Sequence, residues 1–289
     1  MILAAIDIGS NAIRLQITRV IWHKERQPVY KVLESIRFPL RLGKDAFRTG
    51  EITFRSEIKF INLMMAFRTL IDLYEADDAY GCATSALRDS VNGARIVQRA
   101  YEKSGLHIEM ISGEKEAELL DLAIHKVIDN GYYMQIDVGG GSTEINMIKG
   151  KQSYARKSFK LGSVRNMQGR DKPATWEAME SWIKDHSQGA FDAVVATGGN
   201  IRTLYKLWLD QGKELTTPED LQQAAGLVAR HSWEERIELL GLREDRADVL
   251  PYAAEIYSRA IAVSGAGKIM VPNVGLKDGI IEMLIQRNF

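Results

Sequence analysis

The chain contains two copies of one short loop, and each copy begins with an aspartate. The first copy spans Asp7–Asn11 (DIGSN) and the second spans Asp137–Glu144 (DVGGGSTE). Apolar runs flank both copies, which predicts a strand, a tight turn and a second strand at each place. Glycine lets a backbone approach a ligand closely, and successive amides in such a turn bind anions. Because a leading carboxylate suits Mg²⁺, the pair of loops indicates phosphoryl chemistry.

The second copy is the more specific of the two loops. Three consecutive glycines follow the Asp137-Val138 pair, and Ser142, Thr143 and Glu144 come next. One interpretation places the backbone amides of residues 139–142 around a phosphate, with Asp137 and Glu144 directed at a cation. The alternative is a glycine-rich hairpin turn with a solvated glutamate. The first loop also fits an ordinary Asx turn, but its repetition favours a shared function.

The composition is that of an ordinary globular protein and excludes several kinds of partner. Of 289 residues, 45% are apolar and 26% charged, and the formal net charge is zero, so the chain has no basic field for DNA or for a membrane surface. No apolar stretch reaches transmembrane length, and Asp7 comes too early for a signal peptide. The single cysteine, Cys82, rules out an intrachain disulfide and favours the cytoplasm. We expect its thiol to be packed and inert.

The order of the expected elements repeats along the chain. Alternating apolar and polar residues predict a strand on either side of the first loop, and helices and strands follow. The same plan restarts around the second loop. We place the boundary near Asp129, which gives domains 1–129 and 130–289 and a duplicated α/β architecture with a cleft between its lobes. The expected strands are 2–20 with its central loop, 29–42, 79–84, 108–111, 132–138, 144–149 and 193–196; the expected helices are 56–75, 92–104 with Asn92 as cap, 114–129, 175–187, 200–211, 218–231, 247–263 and 276–289.

Six segments of the chain occur in an order that is more informative than any one of them. They are Asp7–Asn11, Ala83–Arg88 (ATSALR), Ile111–Ala117 (ISGEKEA), Asp137–Glu144, Gly198–Asn200 (GGN) and Val271–Gly279 (VPNVGLKDG). Together they resemble the exopolyphosphatase and guanosine pentaphosphate phosphohydrolase (Ppx/GppA) family, which belongs to the acetate kinase–sugar kinase–Hsp70–actin superfamily. The resemblance covers essentially the whole chain and is to the short, two-domain members. It implies duplicated actin-like, ribonuclease H-like domains with an interdomain cleft.

The resemblance gives Glu116 a catalytic role. Glu116 matches the glutamate thought to activate the attacking water in this family, and a carboxylate in a cleft is suited to accepting a proton from water. From the residues alone, an alternative stands beside it. Glu114, Glu116 and Glu118 form an acidic first helical turn, which is favourable with the helix dipole.

The same resemblance implies a hard metal ion, Mg²⁺ or Mn²⁺. Asp137 and Glu144 match positions associated with the metal and its waters, and Asp7 is a third candidate. Because Mg²⁺ usually keeps several waters, we do not expect all three carboxylates to be direct ligands.

Further residues are candidates for binding the phosphates of the substrate. Arg88 suits a bidentate contact with phosphate oxygens, and its alternative is an ion pair with Asp89. Gly198, Gly199 and Asn200 match a region that holds nucleotide in the superfamily, so they are assigned to a guanosine, to distal phosphates or merely to a turn. The family commonly has serine where this chain has Ala12, which removes one hydroxyl from the first loop. The other candidates are Ser10, Asn11, Gly139, Gly140, Gly141 and Ser142.

The stretch from Lys149 to Lys172 is the most basic part of the chain, with Asp171 as its only acid. One interpretation is that its field attracts a polyanion such as polyphosphate. The other is a solvated strand pair and loop. Few aromatic residues are interleaved with these charges, so stacking on single-stranded nucleic acid is not indicated.

These features lead us to expect a phosphohydrolase that acts on polyphosphate or guanosine pentaphosphate. Water oriented by Glu116 would attack in line, and Mg²⁺ with the loop amides would neutralise charge on the equatorial oxygens. Two alternatives stay open, a small-molecule kinase of the same superfamily and a non-catalytic sensor of guanosine penta- or tetraphosphate. The sequence has no P-loop, no zinc-ligand motif and no Gly-x-Ser-x-Gly elbow. The resemblance also suggests a homodimer.

Overall fold

The computed structural model describes residues 1–23, 26–210, 212 and 216–288. The strands of this described part are β1 (Ile2–Ile8), β2 (Ile13–His23), β3 (Arg26–Phe38), β4 (Asp78–Ala83), β5 (Ile108–Met110), β6 (Tyr132–Val138), β7 (Thr143–Lys149), β8 (Gln152–Phe159), β9 (Ala193–Thr197) and β10 (Ile269–Met270). Its helices are α1 (Leu42–Thr49), α2 (Phe54–Leu73), α3 (Ser85–Arg88), α4 (Gly93–Ser104), α5 (Gly113–Ile124), α6 (Ser163–Met167), α7 (Pro173–His186), α8 (Gly199–Leu209), α9 (Pro218–Ala229), α10 (Trp233–Glu238), α11 (Glu244–Ala247), α12 (Leu250–Ser264) and α13 (Leu276–Asn288). Every helix in these ranges is too short or too polar to cross a membrane.

Two five-stranded sheets share one topology. The first sheet has the order β3-β2-β1-β4-β5, and the second has the corresponding order β8-β7-β6-β9-β10. In each sheet the first three strands are antiparallel neighbours and the last two pair in parallel. This repeat confirms the predicted duplicated α/β fold of the actin-like type.

The chain divides into two compact units that do not follow the boundary expected at Asp129. One unit consists of Met1–Ser112 with Leu276–Phe289, and the other is the continuous segment Gly113–Gly275. Helix α5 therefore belongs to the second unit, where it contacts β7 and β8, and α13 belongs to the first, where it contacts β1, β2 and β4. The difference from 1–129 and 130–289 has a physical cause, since each helix is assigned by the sheet it packs on rather than by its place in the chain.

The second sheet separates an apolar face from a polar one. Met134, Ile136 and Val138 alternate along β6 and join a large core with residues of α7, α8, α9 and α12. Gln135 and Asp137 alternate with them and therefore point to the opposite face. A smaller apolar cluster on that opposite face includes Ile124 at the end of α5. Helix α5 thus packs on the face that carries the polar side chains.

Several expected element boundaries differ from the structure. Residues 42–49 form helix α1 and β3 ends at Phe38, whereas a strand was expected up to residue 42. Helix α5 ends at Ile124 rather than at Asp129, whose carboxylate instead accepts the Gly131 amide at 2.8 Å and forms an Asx turn. Thr217 and Pro218 do begin α9, with a complete capping box. Gln211 and Phe289, the expected ends of two helices, lie outside the described residues.

Asn92 takes the predicted N-cap position of α4, and its carbonyl accepts the Ile96 amide at 3.1 Å, but its side chain holds a loop. Its side chain makes no cap hydrogen bond to α4. Instead, its Oδ1 accepts the Ile52 amide at 3.0 Å and its Nδ2 donates to the Ile52 carbonyl at 2.8 Å. Ile52 is buried, so these two bonds replace the water that its backbone would otherwise bind.

This arrangement predicts the effect of two substitutions at Asn92. We expect Asn92→Ala to lower the free energy of unfolding by about 1–3 kcal/mol, because it leaves buried backbone groups of Ile52 unsatisfied. Asn92→Ser should cost a similar amount, since the shorter side chain does not bridge both groups. Urea denaturation of both variants measures this. If serine, a good helix cap, preserves wild-type stability, the capping role is correct and the loop role is wrong.

Candidate active site

The triglycine turn between β6 and β7 presents its amides on one side. The Gly139 amide donates to the Ser142 carbonyl at 2.9 Å and closes the turn. The carbonyls of Gly139 and Gly140 accept backbone amides of residues 163–165 at 2.8–3.0 Å, and the Arg165 Nε donates to the Gly141 carbonyl at 2.9 Å. A trans peptide points its carbonyl and the next amide in opposite directions. The amides of residues 140–142 therefore point away from the 163–165 segment, as anion binding requires.

Gly162 allows that segment to lie directly on the turn. A Cβ atom at position 162 would lie 2.5 Å from the Gly141 nitrogen and 2.6 Å from the Gly140 carbonyl group. Both are backbone atoms that cannot move aside as a flexible side chain does. The absence of a side chain at Gly162 is therefore part of what fixes the turn.

Asp137 and Glu144 lie directly opposite one another on β6 and β7. Residues paired in this way project to the same face of the sheet. The Thr197 hydroxyl donates to Asp137 Oδ2 at 2.7 Å, and the Ser158 hydroxyl donates to Glu144 Oε1 at 2.8 Å. The Glu144 side chain is almost fully buried. Because like charges opposite one another are destabilising, this pair of carboxylates suits a bound cation.

The surroundings of Asp137 fit a hard metal ion. Gly198, with φ of 99°, lies beside it, and a Cβ there would come within 2.8 Å of Asp137 Oδ1. The glycine therefore leaves room next to this oxygen. Within the described residues no group of three or more His, Cys, Asp or Glu side chains forms a metal cluster. A pair of carboxylates would suit Mg²⁺, which keeps several waters and binds few protein groups.

The first loop has the same backbone as the second but a different charge balance. The Gly9 amide donates to the Ala12 carbonyl at 3.2 Å, which matches the bond from Gly139 to Ser142. Asp7 lies opposite Arg14 on β2, at the position that corresponds to Glu144. The Arg14 Nη1 is 2.7 Å from Asp7 Oδ2, so the charge of Asp7 is already balanced within its own hairpin.

The other candidates in the first unit are held by protein groups. The Ser10 hydroxyl lies 2.9 Å from that of Ser85, and Ser10 and Asn11 are both buried. The Arg88 Nη1 donates to the Ile111 carbonyl at 2.8 Å, and its Nε is 3.6 Å from Asp89. The expected alternative for Arg88, a pair with Asp89, is therefore present at long range. The Cys82 side chain is fully buried, as predicted.

Glu116 lies in the first turn of α5, on the polar face of the second sheet. Glu116 is mostly buried, with 9% of its surface accessible to solvent. The helix begins at Gly113, where a Cβ would lie 2.3 Å from the Ser158 hydroxyl that binds Glu144. The start of α5 therefore packs against the residue that orients Glu144.

The Gly-Gly-Asn segment follows β9 and begins α8. The Asn200 Nδ2 donates to the Val138 carbonyl at 3.2 Å, and its Oδ1 accepts from the Arg246 guanidinium. Asn200 is buried. Its side chain therefore ties α8 to β6, the strand that carries Asp137, and the three roles expected for this segment stay predictions.

Among the basic side chains of the stretch 149–172, that of Arg165 contacts the turn. Arg165 binds the Gly141 carbonyl, as described above. Lys149 lies over the Tyr132 ring at 5.8 Å and Lys157 over the Phe159 ring at 5.4 Å. Whether the stretch binds a polyanion stays a prediction.

The second unit thus gathers Glu116, Asp137, Glu144, the triglycine turn and Asn200, whereas Asp7, Ser10, Asn11 and Arg88 belong to the first unit. Sequence reasoning missed several residues that support this site. They are Gln135, Asn146, Ser158, Gly162, Arg165, Thr197, Arg246 and Tyr257. The role of Thr197 had no signal in the sequence, since it depends on the register that places Thr197 beside Asp137.

Comparison with protein families identifies the chain. The model of the Ppx/GppA phosphatase family matches residues 20–288. The chain belongs to this family. Among curated relatives of this Ppx/GppA member, Exopolyphosphatase 1 of Mycobacterium tuberculosis is 25% identical over 97% of the chain and 87% of the relative. The Guanosine-5'-triphosphate,3'-diphosphate pyrophosphatase of Photobacterium profundum is 23% identical over 98% of the chain but only 59% of its own length.

Solved structures agree with the fold. An exopolyphosphatase from Cytophaga hutchinsonii superposes with a TM-score of 0.86 at 20% identity, over 99% of this chain and 98% of that one. The Ppx/GppA family member from Aquifex aeolicus gives a TM-score of 0.79 at 21% identity, over 100% and 98% of the two chains. At these identities the likeness establishes the architecture alone.

Tyr257 clamps the strand ends that carry Asp137 and Thr197. Its hydroxyl donates to the Thr197 carbonyl at 2.5 Å and accepts the Val138 amide at 3.0 Å. Burial, and then the nearby charge of Asp137, raises the pKa of Tyr257 well above its usual value. The folded chain therefore holds this phenol in its neutral form.

We expect Tyr257→Phe to lower the free energy of unfolding by about 1–3 kcal/mol at neutral pH, because a buried amide and a buried carbonyl lose a partner. A pKa that is higher in the folded state gives stability that is present below the unfolded value of about 10 and is lost as pH rises above it. Wild type should therefore lose more stability than Tyr257→Phe between pH 8 and pH 10.5 in urea denaturation. Tyr101→Phe, at an exposed tyrosine, is the control and should keep the wild-type slope. Equal slopes for wild type and Tyr257→Phe would contradict this account.

Proposed function

We propose that this Ppx/GppA member is a phosphohydrolase that releases the terminal phosphate of polyphosphate, the 5′-phosphate of guanosine pentaphosphate, or both. One observation carries the proposal: Asp137 and Glu144 oppose each other at the base of a triglycine turn whose amides point away from the chain that supports them. Relatives named Exopolyphosphatase 1 and Guanosine-5'-triphosphate,3'-diphosphate pyrophosphatase support hydrolysis at phosphate groups.

The turn would bind phosphate oxygens through the amides of Gly140, Gly141 and Ser142. Phosphoryl transfer needs positioning and charge stabilisation more than covalent help from the protein. Fixed amides serve that purpose well because they need no reorganisation as charge develops. The contacts of Gly162 and Arg165 with the turn support this role by holding its carbonyls away from the phosphate.

Asp137 and Glu144 would hold Mg²⁺ or Mn²⁺. When bound, the cation would neutralise charge on the phosphoryl oxygens. The Thr197 hydroxyl donates to Asp137 Oδ2, and the Ser158 hydroxyl donates to Glu144 Oε1. Each hydroxyl thus fixes the orientation of one carboxylate, as residues that hydrogen-bond to metal ligands commonly do. Because Arg14 already pairs with Asp7, we assign Asp7 no direct bond to the metal.

Glu116 would orient and deprotonate the attacking water. Its place at the start of α5, beside the Ser158–Glu144 pair, puts a carboxylate on the same sheet face as Asp137 and Glu144. The proton would pass from water to a Glu116 carboxylate oxygen as the new phosphorus–oxygen bond forms. The phosphoanhydride bond on the opposite side of the phosphorus would break, and its bridging oxygen would leave with the shortened substrate. We further propose a cytoplasmic homodimer as the setting of this activity, in which the buried Cys82 thiol would remain reduced.

The first test is phosphate release by wild type and Glu116→Gln. With Mg²⁺ present, we expect wild type to release phosphate from long-chain polyphosphate or guanosine pentaphosphate, and Glu116→Gln to be slower by about a hundredfold or more. Glu118→Gln, which removes a half-exposed carboxylate two residues along the same helix, should retain wild-type activity. Native activity in Glu116→Gln would exclude its role as base. Tight nucleotide binding without release would favour a sensor, and phosphate transfer from ATP to a sugar would favour a kinase.

A second test separates the two aspartates that lead the loops. We expect Asp137→Asn to weaken Mn²⁺ binding, followed by calorimetry without substrate, by about tenfold or more, since it removes a charged oxygen ligand. Asp7→Asn should leave the Mn²⁺ affinity unchanged because Asp7 pairs with Arg14. Equal losses in the two variants would show that Asp7 also contributes to the metal site.

A further inference from the structure

Two buried amide side chains lie beneath the candidate site in the second unit. Gln135 on β6 and Asn146 on β7 are directly opposite one another, and neither has measurable exposure. An amide placed among apolar groups is costly unless its hydrogen bonds are made. Residues at such positions therefore need partners, and these two have them.

The partners form one continuous chain of hydrogen bonds. Asn146 Nδ2 donates to the Ala117 carbonyl at 3.0 Å and to Gln135 Oε1 at 2.8 Å. Gln135 Nε2 donates to the Thr197 hydroxyl at 3.0 Å, and that hydroxyl donates to Asp137 Oδ2 at 2.7 Å. The donors thus diverge from Asn146: one bond reaches the first turns of α5, and the others run through Gln135 and Thr197 to a carboxylate of the site.

The direction of this chain determines how Asp137 is held. Because Thr197 accepts from Gln135, its own proton is left to point at Asp137. The bond then fixes Oδ2 and leaves Oδ1 on the side of Gly198, where the absence of a Cβ provides room. Hydrogen bonds linked in this way in a buried site also strengthen one another.

The same chain restrains helix α5. Toward its end, α5 contributes Ile124 to an apolar cluster that includes Ile148 and Val195, and apolar packing of this kind is not directional. At its start, the bond from Asn146 reaches the carbonyl of Ala117, which follows Glu116 directly. This directional bond fixes the position of the first turns along the sheet.

We propose that Gln135 and Asn146 are positioning residues that join Asp137 to the start of α5 and so hold Glu116 in place relative to the Asp137–Glu144 pair. This inference rests on the proposed function for the roles of those three carboxylates. Neither amide is assigned to touch substrate or metal. They act through Thr197 and through the Ala117 carbonyl.

The first unit contains a counterpart of this link. Gln16 follows Asp7 by nine residues, as Asn146 follows Asp137, and it too is buried. Its Nε2 donates to Asp278 Oδ1 at 3.0 Å, in the first turn of α13. A buried amide on the second hairpin strand thus reaches the start of the packed helix in both units, which supports a role in placing that helix.

The test uses the double variant Gln135→Met/Asn146→Leu. Replacing both partners of the Gln135–Asn146 bond by apolar groups of similar shape is nearly neutral for stability. The Thr197 hydroxyl keeps its bond to Asp137 and the Ala117 carbonyl keeps its bond within α5, so thermal unfolding should stay close to wild type. We expect kcat for phosphate release to fall about tenfold or more, with KM little changed. We also expect the Mn²⁺ affinity without substrate to fall about tenfold, since removing residues that orient metal ligands typically weakens metal binding by that amount. Ile124→Val, which trims the apolar part of the same interface, is the matched control and should leave both values unchanged.

The outcomes separate this inference from the proposed function. Loss of kcat and Mn²⁺ affinity in the folded double variant, but not in Ile124→Val, supports the positioning role. Wild-type values in the double variant overturn it, and so does an equal loss in Ile124→Val. If wild type binds Mn²⁺ but releases no phosphate, the proposed function fails. The Mn²⁺ affinities of wild type and the two variants then show whether Gln135 and Asn146 position Asp137. If wild type neither binds Mn²⁺ nor releases phosphate, the proposed function and the positioning role are both overturned.

Discussion

The pairing of β6 with β7 is the constraint on which the candidate site depends. In this register Asp137 faces Glu144, Gln135 faces Asn146, and all four side chains share one face of the sheet. A slip of one residue would turn the polar side chains of one strand to the opposite face of the sheet, into the apolar core. The closing bond of the triglycine turn, from Gly139 to Ser142, fixes that register at its end. The same hairpin register therefore determines both the geometry of the turn and the alignment of the two carboxylates.

Duplication has kept the backbone of the hairpin and changed its charges. Both turns close with the same hydrogen bond, and both leading aspartates face a charged residue seven positions later. That residue is Arg14 in one unit and Glu144 in the other. The first hairpin is thus electrically balanced by itself, whereas the second concentrates negative charge. Two copies of one fold consequently offer different chemistry at equivalent positions.

Local patterns were enough to predict the features of the chain that depend on nearby residues. The two hairpins, the start of α9 at Thr217 and Pro218, and the repeated α/β order follow from turn glycines, caps and strand alternation. The pairing of Asp7 with Arg14 was also within reach, because a spacing of seven around a tight turn places two residues opposite each other. The partners Thr197 and Ser158 were not, since they depend on the register of strands distant in sequence. The N-cap position of Asn92 was predicted correctly, but the role of its side chain was not, because that side chain binds the buried backbone of Ile52, which is distant in sequence.

The division of the chain has a consequence for its synthesis. The second unit is continuous from Gly113 to Gly275, whereas the first receives its last helix, α13, from the end of the chain. A nascent chain leaves the ribosome from its N-terminus, and domains generally fold as units. The second unit is therefore complete before the first, although the first begins earlier. Until α13 emerges, the sheet face made by β1, β2 and β4 lacks the helix that packs on it, so the N-terminal unit completes its folding last.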